Sequence, residues 1–338
     1  MILKTQTTEE LFKAFGRMKV IVVGDVMVDA YLFGKVDRIS PEAPVPVVSV
    51  TKRVNRMGGA ANVALNLHSL GATPLLVSVL GSDPKSEIFI RLMQQQQLDT
   101  SAIIRDADRM TTTKFRIIGN NIQMLRVDEE VTHSINQDIE DLLFDQILHH
   151  INSGQIDLII IQDYDKGVLT PGLIKRIIGL AHQQQIAVAV DPKKRNFLLY
   201  EGVNLFKPNL KELTEGLNVS VDHSSEADIK EAVRQLFEKL SPEKVLLTLS
   251  EKGVLIAYSN SDGVLIFTHR PAHVRKIADV SGAGDTVISV AGLCLAAGCD
   301  ASVIAAVSNL AGGLVCEEVG VVPIDKAKLF KEIDKLTG

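Results

Sequence analysis

Lys19-Val20-Ile21-Val22-Val23-Gly24-Asp25 is a short, unbroken apolar run that stops at Gly-Asp. A strand covered on both faces reads this way, because neither face has to be polar, and its carboxyl end is where such a sheet delivers polar side chains. Downstream, apolar strands alternate with amphipathic helices. Val63, Leu67 and Leu70 give a helical pattern opened by Gly58-Gly59-Ala60-Ala61-Asn62 and stopped by Gly71. Residues 74–80 read as a strand and 84–97 as a helix. The same order returns with a strand at 156–161, a helix at 171–184, strands at 186–190 and near 204–206, a helix at 226–240 and a strand at 244–249. A hairpin is predicted around Asp262-Gly263, then two small-residue-rich helices at about 282–298 and 301–317. Repetition of this kind predicts an α/β fold: a doubly wound, mostly parallel sheet flanked by helices, with ligands beyond the strand carboxyl ends.

Two regions break the order. Pro44-Val45-Pro46-Val47-Val48-Ser49-Val50 is strand-like but carries prolines, which suits an edge or a small separate sheet. Residues 111–128 read as a hairpin, with Thr112, Lys114, Arg116 and Ile118 at period two and a turn at Gly119-Asn120-Asn121. Together they predict a small antiparallel lid built from insertions at about 33–53 and 101–128; the alternative is that they are ordinary edge strands. The expected main domain is 17–338, preceded by a helical extension over 1–16.

Composition narrows the function. The 338 residues carry 36 Lys+Arg against 41 Asp+Glu, a net charge of −5, so no basic excess exists to track a nucleic-acid backbone. Trp is absent and aromatics are 4%, leaving little for base stacking. The longest apolar stretches are interrupted well short of a membrane span, and the N-terminus lacks the charged-then-apolar order of a signal peptide. Cys294, Cys299 and Cys316 lie among small apolar residues without metal-ligand spacing, as core residues in a reducing compartment do. A cytoplasmic protein with neither a nucleic-acid nor a membrane partner is expected.

Chemistry concentrates in Asp279-Val280-Ser281-Gly282-Ala283-Gly284-Asp285-Thr286, which opens an apolar helix. Gly282, Ala283 and Gly284 let an anion approach the backbone, and the helix start supplies unpaired N–H groups aimed at it. A carboxylate at Asp285 would repel a phosphate. It reads either as a general base taking a proton from an attacking hydroxyl or as a cap complementing the helix dipole. Neither a Walker A loop, a protein-kinase glycine loop nor a dinucleotide fingerprint occurs in the chain.

The second glycine-led start, Gly58 and Gly59 with Asn62, suits a polyol, since Asn62 offers both a donor and an acceptor. Asp29 is the expected hydroxyl clamp and Asp25 the residue that orders the strand end. Asn209 and Glu212 read as a helix capping box or as a pair holding water around Mg²⁺, two readings that are compatible if the side chains are shared through water. Lys193, Lys166, Lys114, Arg116 and Arg126 stand at strand ends or on the lid; they are solvated cations or, if they converge, a polyanion site.

These residues carry a resemblance. The Gly58–Asn62 and Asp279–Thr286 segments resemble the two signature motifs of the ribokinase-like (PfkB) sugar kinases, with similarity over about 17–335. Within that family, residues 23–29, Arg38-Ile39-Ser40-Pro41-Glu42-Ala43-Pro44-Val45-Pro46-Val47 and Asp163-Tyr164-Asp165-Lys166-Gly167 are similar to bacterial kinases acting on D-glycero-β-D-manno-heptose 7-phosphate. The resemblance implies transfer from ATP, with Mg²⁺, to the anomeric hydroxyl, giving the 1,7-bisphosphate on the route to the ADP-heptose of lipopolysaccharide. It also implies a lid that serves as a homodimer surface. By position it implies Asp285 as base, Gly282–Gly284 as anion hole, and Asp29, Gly58, Gly59 and Asn62 at the sugar. Asn209 and Glu212 match the Mg²⁺/phosphate motif. Thr248, Ser250 and Gly253 match the nucleotide-binding turn, and Gly320, followed here by Val321, the C-terminal nucleotide pocket. Lys193 is expected beside the nucleotide phosphates, and Lys114, Arg116, Arg126 and Lys166 near the sugar's distal phosphate. The rivals are a kinase for another sugar or sugar phosphate and a non-catalytic sugar-binding regulator. Those heptose kinases frequently continue into a nucleotidyltransferase domain with a His-x-Gly-His motif; these 338 residues lack it, so the expectation concerns the kinase half.

Overall fold

The computed structural model describes residues 7–273 and 277–337. Thr8–Phe15 (α1) leads into Lys19–Gly24 (β1), and two long strands follow, Val26–Ile39 (β2) and Pro46–Gly59 (β3), before Ala60–Ser69 (α2). Next come Thr73–Gly81 (β4), Pro84–Gln95 (α3), Ile103–Asp106 (β5), Thr113–Gly119 (β6) and Ile122–Glu129 (β7). The alternation resumes with Gln137–Ser153 (α4), Leu158–Gln162 (β8), Pro171–Gln183 (α5), Ala187–Asp191 (β9), Leu205–Phe206 (β10), Leu210–Leu217 (α6) and Glu226–Leu240 (α7). Lys244–Thr248 (β11), Val254–Ser259 (β12), Leu265–Arg270 (β13), Ala283–Ala296 (α8), Ala301–Val315 (α9) and Lys326–Thr337 (α10) complete the described chain.

The large sheet has the order β13-β12-β11-β10-β9-β8-β1-β4-β5. It is parallel except for the β11-β12-β13 end, where β12 and β13 form the hairpin expected around Asp262-Gly263. β1 lies between β4 and β8, and its alternate residues enter opposite cores. Val20 and Val22 pack with the layer containing α1, α2, α8 and α9, while Ile21 and Val23 pack with that of α4, α5 and α7. A strand covered on both sides needs no polar face, so its unbroken apolar run and its central position have one cause. Residues 1–6 of the expected N-terminal extension, and Gly338, lie outside the described residues. The rest of the extension is part of the body: Phe12 meets Phe330 of α10 at 5.3 Å between ring centroids.

The lid is a second sheet in the order β3-β2-β6-β7. Its extent differs from the insertions 33–53 and 101–128 that turn chemistry suggests. The long strands begin at Val26 and run to Gly59, and β5 within the second interval pairs with β4 in the large sheet. The reason is continuity: β2 leaves the end of β1 with only Asp25 between them. One of its pairings, β2 with β6, is parallel. The β6–β7 turn falls on Asn120 and Asn121, both with left-handed φ, as a two-residue hairpin turn requires. Among the described residues, no helix is long and apolar enough to cross a membrane.

Candidate active site

The loop ahead of α8 ends at Gly282, whose φ of +82° makes it a left-handed N-cap. A side chain there would be strained and would also sit 2.9 Å from the Asn62 amide nitrogen. Ala283, Gly284 and Asp285 then form the first turn, whose N–H groups lack intrahelical acceptors. Gly284 faces a cation: a Cβ there would lie 3.7 Å from Nζ of Lys207 and 3.9 Å from Oδ2 of Asp191. Lys207 is buried and paired with Asp191 at 3.0 Å, so its charge is carried into the site with a counter-ion already in place.

Asp285 is buried and accepts from three side chains. The Asn62 amide donates to Oδ2 at 2.7 Å, the Tyr164 hydroxyl to Oδ1 at 2.7 Å, and the Gln162 amide to Oδ1 at 3.2 Å. Burial pushes the carboxyl up to about 6, against the hydrogen bonds from Asn62 and Tyr164, with Asp191 raising it further and Lys207 lowering it. A carboxylate poised there is ionised at neutral pH yet basic enough to take a proton as a hydroxyl becomes a nucleophile.

On the lid side, Asp29 of β2 is buried and forms an ion pair with Arg116 of β6. Gly58 of β3, which pairs with Met27, lies diagonally across from Asp29, and a Cβ on it would collide with Asp29 Oδ2. Arg116 and Arg56 flank the Tyr31 ring at 5.2 and 5.4 Å, and Arg56 donates to the Val321 carbonyl at 2.8 Å. That bond ties β3 to the segment holding Gly320, whose N–H donates to Asp279 at 2.9 Å. Asp25, as expected, orders a strand end. Its carboxylate accepts from the backbone N–H groups of Tyr164, Lys166 and Val168 at 3.0, 3.1 and 3.0 Å, fixing the loop beyond β8.

The remaining sequence candidates form a chain leading away from Asp285. Lys193 lies over the Tyr164 ring at 5.6 Å and is ion-paired with Glu212; against its burial, Asp191 and Glu212 push the ammonium up to about 12. Asn209 and Glu212 close a complete capping box, with reciprocal bonds of 2.8 Å. The capping alternative is therefore realised, and Lys193 takes up the other Glu212 oxygen. Asn209 bridges to Thr248, which opens the turn containing Ser250 and Gly253. Lys114 and Lys166 converge on one carboxylate, Glu130, at 3.1 and 2.8 Å, while Arg126 is exposed and pairs with Asp128 at 3.0 Å.

Sequence reasoning missed Gln162, Tyr164, Asp191 and Lys207 as site residues. Their signal was positional: all four sit at or just beyond carboxyl ends of β8, β9 and β10. Two buried acceptors there, Asp191 Oδ1 and Gln162 Oε1, have no hydrogen-bond partner. Unsatisfied carboxylate and amide oxygens beside an anion cradle fit a hard cation such as Mg²⁺, which takes oxygen ligands.

The sequence profile of the pfkB family carbohydrate kinases matches residues 17–327. The chain belongs to that family. Bifunctional protein HldE of Desulfatibacillum aliphaticivorans is 38% identical over 319 residues, covering 94% of this chain and 64% of that protein. Bifunctional protein HldE of Geobacter sulfurreducens is 35% identical over 327 residues, covering 97% and 65%. This chain thus spans a little under two thirds of the relatives' length. Among solved structures, phosphofructokinase-2 from Escherichia coli superimposes with a TM-score of 0.77 at 19% identity, over 95% of this chain and 99% of that one. Arabidopsis thaliana ribokinase complexed with ribose and ATP gives 0.70 at 15%, over 93% and 98%. At those identities the likeness shows the fold: the doubly wound sheet with its lid is the ribokinase-like architecture.

Proposed function

We propose that the protein transfers the γ-phosphoryl group of MgATP to the anomeric hydroxyl of D-glycero-β-D-manno-heptose 7-phosphate. The observation that carries the reading is Asp285. It is a buried carboxylate in the first turn of α8, beside the Gly282–Gly284 cradle and the Lys207 ammonium. A hydroxyl that loses its proton to Asp285 attacks a phosphoryl group whose growing charge meets the α8 N–H groups and Lys207. Asp29, Gly58, Gly59 and Asn62 face the sugar. Lys193, Thr248, Ser250, Gly253 and Gly320 face the nucleotide. Asp191, with Asn209 and Glu212 through water, would hold Mg²⁺; that ion supplies neutralisation of phosphate charge.

The heptose assignment rests on the long similarity around 38–47 and 163–167 to heptose 7-phosphate kinases, and on the cations of the lid. Lys114, Arg116, Arg126 and Lys166 are the groups for the 7-phosphate. We also place a homodimer contact on the lid, where Ile122, Met124, Leu125 and Val127 of the edge strand β7 are exposed. The substrate is tested with a panel of free and phosphorylated sugars and MgATP, following ADP release and identifying the phosphorylated product. Highest kcat/KM with heptose 7-phosphate is the expected result; preference for an unphosphorylated pentose or hexose, or for fructose 6-phosphate, removes the heptose assignment.

A further inference from the structure

We infer that Tyr164 is the positioning residue of the site: its hydroxyl holds Oδ1 of Asp285 while Asn62 holds Oδ2, so the base presents one fixed orientation to the acceptor hydroxyl. The inference rests on Asp285 being the base, and it gives a role to the tyrosine of the Asp163–Gly167 segment, to which the resemblance assigned none.

The tyrosine is fixed at three points. Its backbone N–H donates to Asp25 at 3.0 Å, its ring lies 5.6 Å from the Lys193 ammonium, and its hydroxyl donates to Asp285 at 2.7 Å. The loop that carries it is held in turn. Asp163 accepts from Asn196 at 3.0 Å and from the Tyr200 hydroxyl at 2.7 Å, and Asp25 receives two further N–H groups from residues 166 and 168. The loop is tied down on both sides of the tyrosine, and its hydroxyl meets the carboxylate at Oδ1. Surrounding carboxylates and burial keep the phenol protonated, hence always a donor.

The link also runs outward. Glu212 in the first turn of α6 pairs with Lys193, Lys193 covers the Tyr164 ring, and Tyr164 reaches the base. Glu212 is therefore three contacts from Asp285.

Loss of the hydroxyl leaves Oδ1 of Asp285 with only the longer bond from the Gln162 amide at 3.2 Å, so the carboxylate loses its shortest hold on that side. The groups facing Asp285 are Asp191 at the end of β9, Lys207 after β10, Gln162 of β8 and Asn62 of α2. Those facing Tyr164 are Lys193, Asp191 and Asp29 of β2, and Glu212 acts through Lys193. None of them is removed by Tyr164→Phe.

The test uses the full chain. Steady-state kcat and KM are measured from pH 5 to 9 with heptose 7-phosphate and MgATP in wild type and Tyr164→Phe, beside thermal melting and nucleotide binding. The expected result is a fall in kcat of about tenfold or more that persists to pH 9, with both KM values changed less than about threefold. Undiminished kcat in folded Tyr164→Phe, or a loss in kcat/KM carried by KM alone, overturns the inference. If Tyr164→Phe does not fold, 4-aminophenylalanine at 164, which keeps the ring and a donor, must keep kcat within about threefold of wild type; a loss as large as that of Asp285→Asn overturns the inference equally. Undiminished turnover in Asp285→Asn would instead overturn the assignment of the base, an outcome separate from the behaviour of the Tyr164 variants.

Discussion

The side-chain amide of Asn62 donates to Oδ2 of Asp285 across 2.7 Å and so joins the first turns of α2 and α8. The two glycine-led helix starts, one suited to a polyol and one to a phosphate, are thereby one site. Asn62→Ala leaves a buried carboxylate short of a donor. The expected outcome is a loss of about 10- to 100-fold in kcat at pH 7, smaller at pH 9, read from steady-state rates at both pH values.

The position of Asp285 at about 6 has consequences for rate and for stability. Turnover requires the carboxylate, so kcat/KM is expected to fall below an acidic limb near pH 6. For stability the sign is opposite. A carboxyl raised by folding stabilises the folded state while protonated, and that contribution is lost as pH rises from about 4 through about 6. Asp285→Asn is therefore expected to melt higher than wild type at pH 8, by an amount on the order of 2 kcal/mol, and to lose that advantage near pH 4. Thermal melts at the two pH values measure it.

Glu130 receives both Lys114 and Lys166. If those lysines hold the acceptor's distal phosphate, Glu130→Gln frees positive charge and lowers KM for a phosphorylated sugar, about three- to tenfold. Lys166→Met shifts the same KM in the opposite direction. KM for ATP should move with neither. Equal effects on free and phosphorylated sugars would assign the trio to structure alone.

Lys207 is the buried cation beside Gly284. Its replacement by Met is expected to lower kcat by about 10²- to 10³-fold, the scale for loss of a preorganised charge partner. It also leaves Asp191 without its ion pair, so melting should fall as well, and Asp191→Asn in the same chain should restore part of the melting temperature but not kcat.

Exposed apolar residues on β7 form an edge strand, a surface that pairing with a second copy would cover. Ile122→Lys with Leu125→Lys is expected to shift a dimer to monomer in sedimentation velocity without lowering the melting temperature of the fold by more than a few degrees.

The legible parts of this chain were those in which one physical cause acts on neighbouring residues. Burial on both faces writes β1 as a continuous apolar run, and the left-handed φ at Gly282 demands glycine ahead of α8. Even α4, absent from the sequence reading, left a local sign: Asn136 caps Ile139, and Ile139, Leu143 and Ile147 fall on one face. What no local pattern could reveal is pairing across distance. Tyr164 and Asp285 are 121 residues apart, and nothing near either predicts the other. The same holds for Lys207, whose role depends on the approach of Gly284, and for Glu130, which reads as one more acidic residue after a strand. At Asn209 and Glu212 the local reading gave two alternatives, and geometry realised the cap.

The most direct measurement is phosphoryl transfer by the full chain and its Asp285→Asn variant, followed by ³¹P NMR with heptose 7-phosphate and MgATP. The account predicts a new anomeric phosphate resonance with wild type, and, with the variant, folded protein that still binds nucleotide but turns over at least about a thousandfold more slowly. Turnover by Asp285→Asn at the wild-type rate would contradict it.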